Sequence, residues 1–197
     1  MDRFPEDVQS LATGYRAVQP LAVVEEEHLE ILPSTLADGD YGWRDAEWIV
    51  QWYYRRFLGA YPDADRRAAE AVFGENDYEA VHAAITRAIE AEDDRSKLDL
   101  LTELSGVDVP LASAFLTFIQ PSAYIVMSAM EWRVLHQSGE LDDSYPDHPS
   151  AAAYRSYLDV CREIADRRDC DLWTVYTAMW RCWYEESRGG PTGRRVG

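Results

Sequence analysis

The residues with the most chemical potential lie between Leu101 and Trp132, in the run LTELSGVDVPLASAFLTFIQPSAYIVMSAMEW. The run reads as a short helix, a glycine-containing hairpin, a second helix, and a proline-bounded loop entering a third. Gly106 permits the left-handed turn that such a joint needs. The small residues Ala112, Ser113 and Ala114 let the second helix pack closely on the first. Amide groups after Gly106 and at the start of the second helix lack intrahelical acceptors and can face an anion. Gly106, Val107 and Val109 are therefore candidate phosphate contacts, with Arg55 and Arg56 as the neighbouring cations. The same joint also serves plain helix packing in many proteins.

Other groups with reactive side chains are less organised. Glu25-x-x-His28 and Glu79-x-x-His82 each place a carboxylate and an imidazole on one helical face, the spacing used by di-iron bundles. Glu25 belongs to an acidic run, which reads as a solvated face, so no metal is expected. His136 and His148 stand alone near loops. Arg55-Arg56 and Arg167-Arg168 close helices, where a cation already interacts favourably with the helix dipole. Cys161, Cys170 and Cys182 form no C-x-x-C pair and read as buried small hydrophobes in a reducing compartment. Neither a G-x-x-x-x-G-K-[ST] loop nor a G-x-G-x-x-G fingerprint occurs, and no cofactor is expected.

The elements that must position these residues are helical almost throughout. Leu21 to Leu32, between two prolines, is compatible with helix or strand, and 34–42 reads as a loop. In Trp43 to Leu58, Ala46, Ile49, Val50, Tyr53, Tyr54 and Phe57 recur at helical spacing. Pro62-Asp63 opens a helix through Phe73, and Asn76 with Glu79 resembles a capping box for the next. Ser96 is the expected cap of the helix entering the hairpin, and Pro110 fits a first helical turn. Further helices are expected over 129–136, 150–168 and 171–186, around a polar loop at 139–149. Trp43, Trp48, Trp52, Trp173, Trp180 and Trp183 fall largely at helical spacing and read as core or interface anchors. The expectation is an all-α fold: an N-terminal segment 1–39, a helical domain 40–138 with its hairpin at 101–118, C-terminal helices 139–186, and a disordered tail 187–197.

Composition bounds the setting. The 197 residues carry a net charge of −17, with eighteen Arg against the single Lys97. Heavy acid with almost no Lys resembles adaptation to a salt-rich cytoplasm. At about 1 M salt the Debye length is roughly 3 Å, so net charge neither favours nor excludes nucleic acid and local arrangement decides. No apolar run approaches membrane-spanning length, and the acidic start MDRFPEDVQS lacks a signal-peptide core. A cytoplasmic protein without membrane association is expected.

LSGVDVPLASAFL followed by PSAYIV resembles the helix-hairpin-helix segment of the DNA glycosylase superfamily related to endonuclease III. WRDAEWIVQWYYRR and DLWTVYTAMWRCWYEE resemble segments of other proteins with this motif, which have an aromatic-rich final helix. The resemblance implies an all-helical fold with a flanking subdomain and a hairpin that binds DNA phosphate. Leu104, Gly106, Val107 and Ala112 match the pattern, whereas Asp108 stands at its second glycine. The Schiff-base lysine of bifunctional members aligns with Pro110, which has no amine. The catalytic aspartate aligns with Met127 or Ser128, neither of which ionises near neutral pH to stabilise a cationic transition state. Glu131, one turn on, is expected to point elsewhere, and no four-cysteine cluster is present for an iron–sulfur centre. The resemblance thus implies a catalytically degenerate, nucleic-acid-associated protein. The alternative is a helical module that docks a protein through its Trp- and Tyr-rich surface.

Overall fold

The computed structural model describes residues 4–189 and contains ten helices among them, with no strand. They are α1 (Val8–Val18), α2 (Ala22–Asp38), α3 (Trp43–Arg55), α4 (Asp63–Phe73), α5 (Tyr78–Glu90), α6 (Asp94–Leu101), α7 (Val109–Ile119), α8 (Ala129–Gln137), α9 (Ala151–Arg168) and α10 (Leu172–Gly189). The fold class is all-α, and no described helix is long and apolar enough to cross a membrane.

The most apolar helix sits at the centre. Every residue from Pro110 to Phe118 is buried, the pattern of a helix surrounded by others. α2, α3, α6 and α9 pack on α7, and α10 crosses behind them to touch α1, α8 and α9. The i, i+3, i+4 stripe of α3 points inward as its spacing predicts, with Ala46, Ile49, Val50, Tyr53 and Tyr54 all buried. Fully burying an aliphatic side chain of this size stabilises the fold by roughly 1.5–3 kcal/mol. The buried side chains form one cluster from Phe4 to Trp183.

Several local expectations change. α1 occupies a stretch without a clear sequence pattern, capped by Asp7 accepting from the Ser10 amide. Leu21–Leu32 is helix, and α2 continues through Pro33 into the expected loop as far as Asp38. Proline removes one backbone hydrogen bond. Burial of Leu32 and Leu36 on either side keeps the helix on course, while the Ser34 and Thr35 hydroxyls donate to the Ile31 carbonyl. α2 ends only at Gly39, which adopts φ +73°. α6 is capped by Asp93, whose carboxylate accepts from the Ser96 amide, rather than by Ser96 itself. Asn76 caps no helix: Asp77 precedes α5, and the Asn76 amide bridges to Phe73 and Ser105. The expected tail begins too early, since Ser187–Gly189 belong to α10; the rest of it lies outside the described residues.

The α6–α7 joint is held from the α4 side. Asn76 accepts from the Ser105 amide at 2.9 Å and donates to the Ser105 carbonyl at 2.9 Å. Gly106 takes φ +77° beside the end of α4, where an added Cβ would meet the Phe73 amide nitrogen at 3.0 Å and Val72 Cγ1 at 3.1 Å. Left-handed backbone and this contact both exclude a side chain. Gly106→Ala is expected to lower unfolding free energy by about 2 kcal/mol or more, read as a shifted denaturant midpoint with unchanged slope.

Candidate functional site

Met127 and Ser128 lie in the segment between α7 and α8. Ile125, Val126, Met127 and Ser128 are buried. Their path is set by side chains from neighbouring helices. Ser113 Oγ accepts from the Met127 amide at 2.9 Å, and the Tyr154 and Tyr157 hydroxyls donate to the Ile125 and Val126 carbonyls at 3.0 and 2.8 Å. Ser128 then caps α8 by accepting from the Met130 amide at 3.1 Å.

Glu131 does not point away. It turns back so that the Ser128 hydroxyl donates to one carboxylate oxygen, while Arg56 pairs with the other. Ser128-x-x-Glu131 has capping-box spacing, and that signal in the sequence marks the proximity. Both members of the ion pair are fully buried. The Arg56 guanidinium lies against the rings of Phe57, Tyr53, Trp52 and Tyr176, with centroids 4.5–5.5 Å away. Arg56 Nε donates to the Tyr53 carbonyl at 3.1 Å. Burial alone depresses the guanidinium pKa, but Glu131 more than offsets this and raises it, so Arg56 is a permanent buried cation.

This placement corrects the expected role of Arg56, which cannot reach a phosphate from the core. Arg55 is half-exposed and bridges to Glu70 of α4 at 3.4 Å, a carboxylate that also holds Arg66. Gly106 is exposed, Val109 is half-buried and Val107 is buried. Asp108 caps α7, accepting from the Leu111 amide at 2.9 Å, so its carboxylate occupies the position an anion would take at that helix start. Packing around the carboxyl raises its pKa, against the lowering effect of the Leu111 hydrogen bond.

The Glu25 reading changes too. Glu25 is fully buried instead of belonging to a solvated face. It accepts from the Tyr15 hydroxyl and from Trp52 Nε1 at 2.7 Å. Its former partner in the E-x-x-H pair, His28, stacks outside on Trp48 with centroids 3.6 Å apart. His82 stacks on Tyr41 at 4.9 Å, and Glu79 is exposed. Neither pair converges, and the described residues hold no group of three or more His, Cys, Asp or Glu placed for a metal ion. The three cysteines are free, with Cys161 buried and its thiol pKa pushed up by that burial.

Beside Ser128 opens a cleft of about 430 Å³. Its walls are Tyr53 from the last turn of α3, Phe57 just beyond that helix, Tyr61 from the turn before α4, Tyr145 from the 139–149 loop, and Trp183 from α10; the first turn of α8 and Arg133 complete it. None of its ten lining residues is acidic in a chain with 36 acidic residues. The other four cavities described each include at least one carboxylate. These residues come from four distant segments, so no local spacing in the sequence marks the cleft. Comparison of the chain with family models, curated proteins and solved structures returns no match.

Chemically, the surroundings of Ser128 offer no free carboxylate: the one at hand is bound by a guanidinium and a hydroxyl. Replacing Glu131 with Gln is expected to cost about 3–5 kcal/mol, because it leaves Arg56 buried without its counter-charge. Arg56→Met combined with Glu131→Leu should recover most of that loss in urea unfolding, since the pair then leaves the core together. Glu25 behaves differently. Burial raises its pKa above the ordinary 4.5, opposed by hydrogen bonds from Tyr15 and Trp52 and by the charge of Arg56. A raised folded-state pKa contributes stability below the unfolded value that is lost as pH rises through the folded value. Glu25→Gln should therefore gain stability relative to wild type as pH increases from about 4.5, by at most about 1.4 kcal/mol per pH unit. Parallel pH-dependent unfolding of the two proteins tests this, and equal slopes would count against it.

Proposed function

We propose that the chain is a helix-hairpin-helix glycosylase-like protein without glycosylase chemistry, associated with nucleic acid through the α6–α7 joint. The observation that carries this reading is the joint itself. Gly106 is exposed at φ +77° between two helices, with Leu104 and Val107 buried beneath it and Ala112 at the packed face of α7. Loss of catalysis is supported by the positions where the chemistry would lie. Pro110 is built into the first turn of α7, and Ser128 is a helix cap whose neighbouring carboxylate is locked to Arg56. Asp108 sets the limit on affinity, because its charge stands where a phosphate oxygen would approach the α7 amides.

Asp108→Asn tests the reading without disturbing the fold, since Asn is an equally good helix cap. Removing one like charge at contact distance is worth about 1 kcal/mol in a watery setting, or roughly fivefold. Mobility shifts with duplex and single-stranded DNA are expected to show weak, salt-sensitive binding by wild type and about fivefold tighter binding by Asp108→Asn. No shift by either protein at low salt would overturn it. A second reading, docking of a protein, draws on Val23 and Ile31 of α2, which are 54% and 57% exposed on one helix face. It takes precedence if neither form binds DNA.

A further inference from the structure

We infer that the cleft beside Ser128 is a binding site for a small planar aromatic molecule carrying one anionic group. The inference does not rest on the hairpin reading, although the Asp108 carboxylate at the start of α7 is close enough to act on three tyrosines of the cleft. Ring-sized walls come first: Tyr53, Phe57, Tyr61, Tyr145 and Trp183 surround about 430 Å³ of space, the scale of a small-ligand pocket. Aromatic walls favour a flat ring through offset or edge-to-face contact.

The anionic group follows from charge. Arg133 lines the cleft from α8, is exposed, and has no carboxylate within ion-pair distance among the described residues. In a chain with net charge −17, an uncompensated guanidinium in an acid-free cleft is a local exception. Ala129 and Met130 bring the first turn of α8 to the same wall, so the positive helix end adds to Arg133. Glu131 behind that turn is neutralised by Arg56 and does not oppose it.

The polar rim suits a ligand with acceptors. Burial raises the pKa of the Tyr53, Tyr61 and Tyr145 hydroxyls, and the Asp108 carboxylate adds to the effect, so all three remain protonated donors. None of the three is held by a side-chain hydrogen bond. Ring stacking, three donors and one cation fit an aromatic carboxylate or a mononucleotide, which share this chemistry.

The experiment titrates the protein with adenosine 5′-monophosphate and indole-3-acetate, each beside its uncharged counterpart, adenosine and indole-3-acetamide. Calorimetry is the readout for all four probes. Both anions, or one of them, should bind with a stoichiometry of one, and their uncharged counterparts about tenfold more weakly. Arg133→Gln should abolish that tenfold preference while leaving the uncharged probes unchanged. Ala60→Trp, a change at the exposed lip of the cleft, should block all four. Binding of the nucleotide alone identifies a nucleotide-type ligand, and binding of indole-3-acetate alone identifies an aromatic carboxylate. The inference is overturned if no probe binds at millimolar concentration, if charged and uncharged members bind alike, or if Ala60→Trp leaves binding intact. Circular dichroism of both variants separates lost binding from lost fold.

Discussion

The buried ion pair between Arg56 and Glu131 constrains everything around it. A guanidinium in an aromatic interior is tolerable only with its counter-charge at contact distance, so the end of α3 and the start of α8 are bound to one geometry. The backbone at Arg56 is held as firmly as its side chain. Its carbonyl accepts from Trp180 Nε1 of α10 at 2.8 Å and from Gln19 Nε2 after α1 at 3.1 Å. Four parts of the chain thus meet at one residue. The same aromatic cage leads on to Glu25, because Trp52 touches the Arg56 guanidinium with its ring and donates to Glu25 with its indole N–H. Two carboxyl groups and one guanidinium consequently share a single dry interior, where burial raises the pKa of Glu25 against hydrogen bonds from Tyr15 and Trp52 and the charge of Arg56.

That constraint also shapes the surface. Since Glu131 spends its charge on Arg56, the adjoining cleft keeps aromatic walls and a net positive rim in an otherwise acidic molecule. The hairpin has the opposite character. Asp108 fills its own helix start, and Arg55 is tied to Glu70, so little free positive charge remains there. In strong salt only short-range arrangements of this kind retain force, because long-range repulsion from the net charge is screened within about 3 Å at 1 M. The two surfaces therefore differ in what they can hold: a backbone phosphate competes with a fixed carboxylate, while a ring-bearing anion meets Arg133 and no carboxylate among the lining residues, with Asp108 acting on the cleft's tyrosines from outside that lining.

Much of the fold was legible because its signals are local. The α3 stripe, Pro110 in the first turn of α7 and the proline-bounded loop after that helix all follow from spacing or from backbone chemistry within a few residues. The errors were local signals outweighed by packing. Pro33 and the polar residues after it read as a loop, yet burial of Leu32 and Leu36 carries α2 through them. Asn76 looked like a cap but is drawn off to the hairpin, a partner 29 residues away. Glu25 and Arg56 are the instructive cases. Each sits among charged neighbours that do face water, and nothing in residue type distinguishes the buried member of Arg55-Arg56 or of the run from Glu25 to Glu27.

The amino-acid sequence by itself determined the helical class that the described residues adopt and the position of the α6–α7 joint. Those are properties of residue identity and of spacing along one helix. Only the tertiary structure decided which charges leave water, that Glu131 returns to Ser128 and Arg56, and that Tyr61, Tyr145, Arg133 and Trp183 close on one cleft. Helical periodicity extends over a few turns, whereas desolvation and charge pairing depend on which distant segments the packed core brings together.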